Sequence, residues 1–264
     1  MNQFGKPLAA TAALTVLALS TSLAAPAGAA TNAGPTTSCR GTAVSIAGAT
    51  VADANAQQTP CVAENQSAVD KNVSLLLGGI TIQALQAATT LTHPTAATTR
   101  ETAAATIADV DVNLLGLNIL EATGLKAGAG TLHNSACSIA QSVSGSLLGS
   151  ITVLGQNISL DGGKSLSIKL PLGLGGIYVN QQVKTATSIT QRALFIDLPG
   201  TFLDVIVAQA STGCAAVGSM AVQSMAIGNE KPSKALVKEV RAKIEKLKDD
   251  PQARSALTVE QAGH

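Results

Sequence analysis

The side chains best suited to nucleophilic, general-base or metal chemistry are four cysteines, Cys39, Cys61, Cys137 and Cys214, and three histidines, His93, His133 and His264. Nucleophilic or metal-assisted catalysis needs a nucleophile, a base and an orienting group, or a ligand set, gathered at hydrogen-bonding distance. The histidines give no sign of that. His93 stands beside Pro94 and His133 beside Asn134, both in stretches that read as loops, and His264 is the terminal residue. Each reads as a solvated loop histidine. No G-x-S-x-G, H-E-x-x-H or G-x-x-x-x-G-K-[ST] pattern occurs. No catalytic residue and no cofactor is therefore expected, and the chain reads as a non-enzyme. The cysteines lie 22, 76 and 77 residues apart with no CxxC and no histidine at zinc-finger spacing, which points away from zinc and toward two disulfides in an oxidising compartment. Asp109 and Asp111 are spaced as two oxygen ligands of a hard cation would be, but no glycine-bearing ligand loop follows them. They read as the wet side of a strand, so no metal is expected.

Short apolar runs hold these residues in place. Val73–Ala84 and Val112–Ala122 nearly repeat each other: an apolar run, a glycine break, then Ile or Leu alternating with Thr or Asn. That is strand, turn, strand. A fainter copy spans Ser146–Gly155. Val110, Val112 and Leu114 alternate with Asp109, Asp111 and Asn113, a strand with one dry and one wet face. Further strands are expected over 41–47, 51–57, 166–170, 176–183, 188–198 and 202–211, with turns at Asp161-Gly162-Gly163 and Pro199-Gly200, loops over 31–38 and 55–71, and a polar interruption over 93–105. The spacing predicts an all-β domain of antiparallel hairpins, closed as a β-sandwich or barrel; the irregular intervals between copies disfavour a solenoid.

The ends differ from this body. Residues 1–30 have the layout of a signal peptide: Lys6, an apolar stretch over 8–19, then Ala27-Gly28-Ala29. That apolar stretch is too short to span a bilayer of roughly 30 Å. The expected domains are a signal segment over 1–30, a secreted β-rich body over 31–228 and a charged helical tail over 229–264. Pro232 to Lys248 reads as an amphipathic helix, with Leu236, Val240, Ile244 and Leu247 forming an apolar stripe among Lys234, Lys238, Arg241, Lys243, Lys246 and Lys248. Two readings follow: a helix that docks its stripe on the body, or contact with anionic lipid or wall polymer. Glu239, Glu245, Asp249 and Asp250 dilute the positive face and favour docking.

With a formal net charge of +1 and aromatic residues at 2 %, the chain lacks the basic face and stacking platforms of a nucleic-acid binder. No nucleic-acid partner is expected. Beyond residue 30 its aromatics are Tyr178, Phe195 and Phe202, so the core must be built from Val, Ile and Leu. Cysteine pairing follows from hairpin geometry. A turn around Gly48-Ala49-Thr50 makes residues whose numbers sum to about 100 face each other across a ladder, as Cys39 and Cys61 do. Cys137 then pairs with Cys214.

Four ordered segments, the repeated hairpins, Gly176-Ile-Tyr-Val-Asn-Gln-Gln182, Ser188-Ile-Thr-Gln-Arg-Ala-Leu-Phe-Ile196 and Asp204-Val-Ile-Val-Ala-Gln-Ala-Ser211, resemble the choice-of-anchor P family of exported Gram-positive, actinobacterial proteins. The resemblance covers residues 41–216 and implies a secreted or cell-surface protein with no assigned activity. After Ala216 the chain carries a charged helix where that family carries an anchor. The expected role is a secreted or surface structural or binding module whose partner is a cell-wall polymer, a surface protein or a second copy joined through strand edges. The rival readings are a secreted hydrolase with an unrecognised site and a wall- or membrane-associated protein held by its basic tail.

Overall fold

The computed structural model describes residues 36–46, 49–75, 77–137, 139–143, 149–160, 164–198, 203–215 and 233–261. The signal segment, the two glycine turns at 161–163 and 199–200, Phe202, the body–tail boundary near Gly228 and His264 lie outside the described residues. The rest forms two antiparallel sheets, as the hairpin pattern predicts. In chain order the strands are β1 (Thr36–Ile46), β2 (Ala49–Ala54), β3 (Glu64–Leu75), β4 (Gly78–Thr95), β5 (Thr98–Leu114), β6 (Leu117–Asn134), β7 (Ile139–Val143), β8 (Ile151–Val153), β9 (Gln156–Ile158), β10 (Leu166–Leu170), β11 (Gly175–Lys184), β12 (Ser188–Leu198), β13 (Leu203–Ala215) and β14 (Thr258–Gln261). Sheet A runs β14-β10-β11-β12-β13-β1-β2, and sheet B runs β3-β4-β5-β6-β8-β9 with β7 also on β6.

The near-repeat marks two long hairpins. β3 and β4 meet around Leu77, and β5 and β6 meet at Leu115-Gly116, where both residues take positive φ. The strands run further than the sequence pattern suggests. Residues 64–71, read as loop, belong to β3, Thr36–Ser38 open β1, and the expected interruption over 93–105 is the β4–β5 turn flanked by continuous strand. The alternation slips at one level of each sheet, and in β3 that level falls inside the missed stretch, at Val69 opposite Ala84. On β5, Glu101, Ala103, Ala105 and Ile107 are buried, then Val110, Val112 and Leu114, so inward residues change from odd to even numbers at Ala108. Ala84 on β4 and Gly124 on β6 lie at the same level with φ of 48° and 61°. Sheet A slips likewise at Ala208, φ 53°, opposite Ala193 and Ala43. A period-two reading breaks one strand into two at such a point.

Inward faces hold aliphatics: Ile80, Ile82 and Leu85 on β4, Ile107, Val110 and Val112 on β5, Ile177 and Val179 on β11, Leu194 and Ile196 on β12, Val205 and Val207 on β13. Toward one end they shrink to Ala87, Ala103, Ala105, Ala127, Ala129 and Ala210, and the sheets draw close. Gly41 is required there, because a Cβ on it would sit 2.5 Å from the Ala104 carbonyl oxygen. Both disulfides tie this end, Cys39–Cys61 and Cys137–Cys214, the pairing expected from sequence. The expected reason differs from the actual one. The β1–β2 register sums to 95, as in Val44 opposite Val51, and Cys61 reaches Cys39 because residues 55–61 fold back on β1. There the Cys39 amide donates to Gln58 O and the Cys61 amide to Thr37 O, each at 3.0 Å.

The opposite end is closed by the tail. Helix α1 (Lys234–Asp249) starts at Ser233, whose hydroxyl accepts from the Leu236 amide. It buries Val240, Ile244 and Leu247, and Val240 meets Leu114, Ile119, Leu170, Leu174 and Leu198. Asp250 caps the short helix α2 (Pro251–Ser255), Gln156 Nε2 donates to the Arg254 carbonyl at 2.9 Å, and β14 adds to the edge of β10. The helix therefore docks its stripe on the body. No helix among the described residues is long and apolar enough to cross a membrane.

Candidate functional site

Sheet A presents one outer face whose composition differs from the rest of the fold. Strand alternation sends Ile177, Val179, Leu194 and Ile196 inward and leaves Tyr178 and Phe195, which pair across β11 and β12, on the other side. Their rings stack with centroids 5.7 Å apart and planes inclined by 24°. These are the only aromatic residues among those described, and both stand half-buried outside a core that uses none. A chain with scarce aromatics gains most by burying them, since each can remove 150–250 Å² from water, so their outward placement is informative.

The neighbouring rung is polar across five strands: Gln181, Arg192, Gln209, Thr42 and Asp53 face one another in register. Arg192 Nε donates to Gln209 Oε1 at 2.7 Å and Nη1 to Gln181 Oε1 at 2.8 Å, while the guanidinium carbon lies 5.6 Å from the Phe195 ring centroid. Burial pushes the Arg192 pKa down, yet the ring face and two amide oxygens hold its charge in place. Because both glutamines spend their oxygens on Arg192, their NH2 groups are turned to donate elsewhere. At the far side Arg40 grips Asp53 with a fork at 2.8 and 2.5 Å, and the Thr42 hydroxyl adds a third bond at 3.0 Å. The result is a hydrogen-bonded polar rung, with Arg192 and Thr42 buried in it and the half-buried Gln181 and Gln209 amides beside an apolar ring pair. Such a surface suits a ligand with both C–H faces and hydroxyl or carbonyl acceptors.

Sequence reasoning missed this face because it weighed catalytic and metal-ligating groups and assigned the core to Val, Ile and Leu. Its signal was present: Tyr178 and Phe195 each fall between two aliphatics in an alternating run.

The other polar concentration is internal. His133 is on β6, not in a loop, and is 2 % exposed, which corrects the expectation of a solvated histidine. Its Nε2 lies 2.6 Å from Glu101 Oε1, its Nδ1 lies 3.1 Å from the Asn134 carbonyl oxygen, and the Thr131 hydroxyl donates to Glu101 Oε2. Glu101 is fully buried and its pKa is raised, chiefly by that burial, against the lowering effect of Thr131 and His133. Imidazole, carboxyl and hydroxyl thus converge, but in the wrong order for nucleophile activation. The hydroxyl bonds the acid and the imidazole has both nitrogens engaged, so no base faces a nucleophile. Nor is there room: all three side chains are sealed between the sheets.

The remaining expected residues fall apart in space. His93 is exposed as expected, but it lies on β4, two residues before the strand ends, and not in a loop. The four cysteines are all bonded. Asp109 and Asp111 lie on the outer face of sheet B, where burial and then Glu121 and Asp109 raise the Asp111 pKa, and no group of three or more metal-ligating side chains forms among the described residues. Comparison with family models, with curated proteins and with solved structures finds no match to this chain.

Proposed function

We propose that this chain is an exported binding module, without chemistry of its own, that grips an extended hydroxyl-rich polymer such as a cell-wall glycan on the outer face of sheet A. One observation carries the reading: both described aromatics are stacked on that face beside Arg192 and its two glutamines. Supporting it are the signal-like layout of residues 1–30, the two disulfides, which suit an oxidising compartment, and the resemblance of residues 41–216 to an exported surface family.

The experiment is retention of the purified protein by insoluble cell-wall fragments, compared with Tyr178→Ala and Phe195→Ala. Stacking on an aromatic and hot-spot contacts are each worth about 1–3 kcal/mol, so either variant should bind roughly tenfold more weakly while melting near the parent temperature. No retention of the parent protein, or undiminished retention of both variants, ends the proposal.

A further inference from the structure

Three of the four acidic residues that dilute the tail in the sequence are engaged in the fold, and Asp249 is exposed at the end of α1. Glu239 pairs with Lys243 at 2.8 Å, Glu245 pairs with Lys248 at 3.1 Å, and Asp250 accepts from the Gln252 and Ala253 amides at the start of α2. What remains, besides Lys246 and Asp249 in the last turn, is a row of cations. Lys234, Lys238 and Arg241 are exposed, have no carboxylate partner among the described residues, and follow one another at i, i+4 and i+7 along one flank of α1. At 1.5 Å per residue Lys238 lies about 6 Å and Arg241 about 10 Å along the helix axis from Lys234, so a single linear partner meets all three. The rest of the molecule gives this row contrast: residues 31–228 hold eight Lys and Arg against ten Asp and Glu, whereas α1 holds six against three.

From these placements we propose that α1 is a second binding surface, which takes a linear phosphate polymer along the Lys234–Lys238–Arg241 row. A bilayer is the wrong occupant. Interfacial helices bind membranes by burying their apolar face in the acyl region, and here Val240, Ile244 and Leu247 are already buried against the body. The cations, by contrast, are solvent-facing and rigidly spaced, because the docked stripe fixes the rotation of the helix. Phosphate is the matching anion, since guanidinium and ammonium groups both bind it strongly and a polymer repeats it along a line.

The probe is fluorescent inorganic polyphosphate titrated into the purified protein at several salt concentrations. Three contacts released as counterions predict a slope of log K against log salt of about −2. The Lys234→Gln, Lys238→Gln, Arg241→Gln triple variant should lose roughly tenfold or more in affinity at low salt and flatten the slope. A Lys126→Gln, Lys164→Gln, Lys184→Gln variant removes the same charge from exposed body positions and should bind as the parent does. Circular dichroism confirms that each variant is folded. No binding, equal losses in the two triple variants, equal affinity for poly-glutamate, or comparable binding to anionic phospholipid vesicles would each overturn the proposal. Neither Tyr178 nor Phe195 is altered, so a failure here leaves the sheet A reading intact.

Discussion

Replacing Glu101 tests how the buried cluster is held. In Glu101→Ala, His133 Nε2 and the Thr131 hydroxyl lose their shared partner inside a sealed interface. Each orphaned buried group costs about 1–3 kcal/mol, which gives a loss of about 4 kcal/mol for the pair before any cavity term. For a chain of this size one kcal/mol corresponds to about 2–4 °C, so Tm should fall by about 12 °C. Glu101→Gln discriminates further. Burial favours the uncharged carboxyl; in that form its OH would donate to His133 Nε2, with His133 Nδ1–H donating to the Asn134 carbonyl. A glutamine repeats that pattern, its NH2 donating to Nε2 and its oxygen accepting from Thr131, so the loss should stay near ~1 kcal/mol, or about 3 °C. The pH dependence has a definite sign. A carboxyl whose folded pKa is raised contributes stability that is complete below the unfolded value of about 4.3 and is lost as pH rises through the folded value. Glu101→Gln should remove that decline. Calorimetry of the oxidised proteins across pH is the assay. If Glu101→Gln is as damaging as Glu101→Ala, the pair is ionised in the fold; if neither lowers Tm by more than a few degrees, water reaches the cluster and the argument for a sealed interior fails.

Two further perturbations probe other parts of the fold. Asp197 and Asp204 stand directly opposite on β12 and β13, and burial followed by Asp197 raises the Asp204 pKa. Like charges so placed cost about 0.2–1 kcal/mol, less where solvent screens them, so Asp204→Asn should raise Tm by about 1–2 °C at pH 7. That gain should disappear in acid, because the carboxyl contributes its full stability below about pH 3.9 and loses it as pH rises through its folded value; calorimetry at pH 7 and pH 3 decides. Removing the Cys137–Cys214 bridge with a double alanine variant frees a loop of 77 residues, worth about 4–5 kcal/mol in chain entropy. A loss of about 10–15 °C is expected in thermal unfolding, and a loss under about 3 °C would contradict the estimate.

Hairpins, turns and an aliphatic core were legible because each follows from local alternation, and the tail helix because its stripe is complete within one segment. Strand length was not legible. Ala84, Ala108, Ala193 and Ala208 carry no turn signature, yet each sits where alternation slips, and only the partner strand slipping at the same level keeps the pairing intact. The disulfide pairing was recovered through a register that the β1–β2 hairpin does not adopt, since the fold-back of residues 55–61 depends on backbone bonds from Cys39 and Cys61 that no spacing encodes. His133 was misjudged for the same reason. Its partner Glu101 lies 32 residues upstream, on a strand the alternation appeared to interrupt.

In sheet A the strand nearest the start of the body, β1, is hydrogen-bonded to β13, with Thr36 opposite Ala215. A chain made N-terminus first cannot lay down this pair until its last body strand has been synthesised. The described strands of sheet B need nothing beyond residue 158 and can pair while synthesis continues. Ordering the long closure last keeps the sandwich incomplete until β13 is made, and makes its arrival the event that locks the molecule.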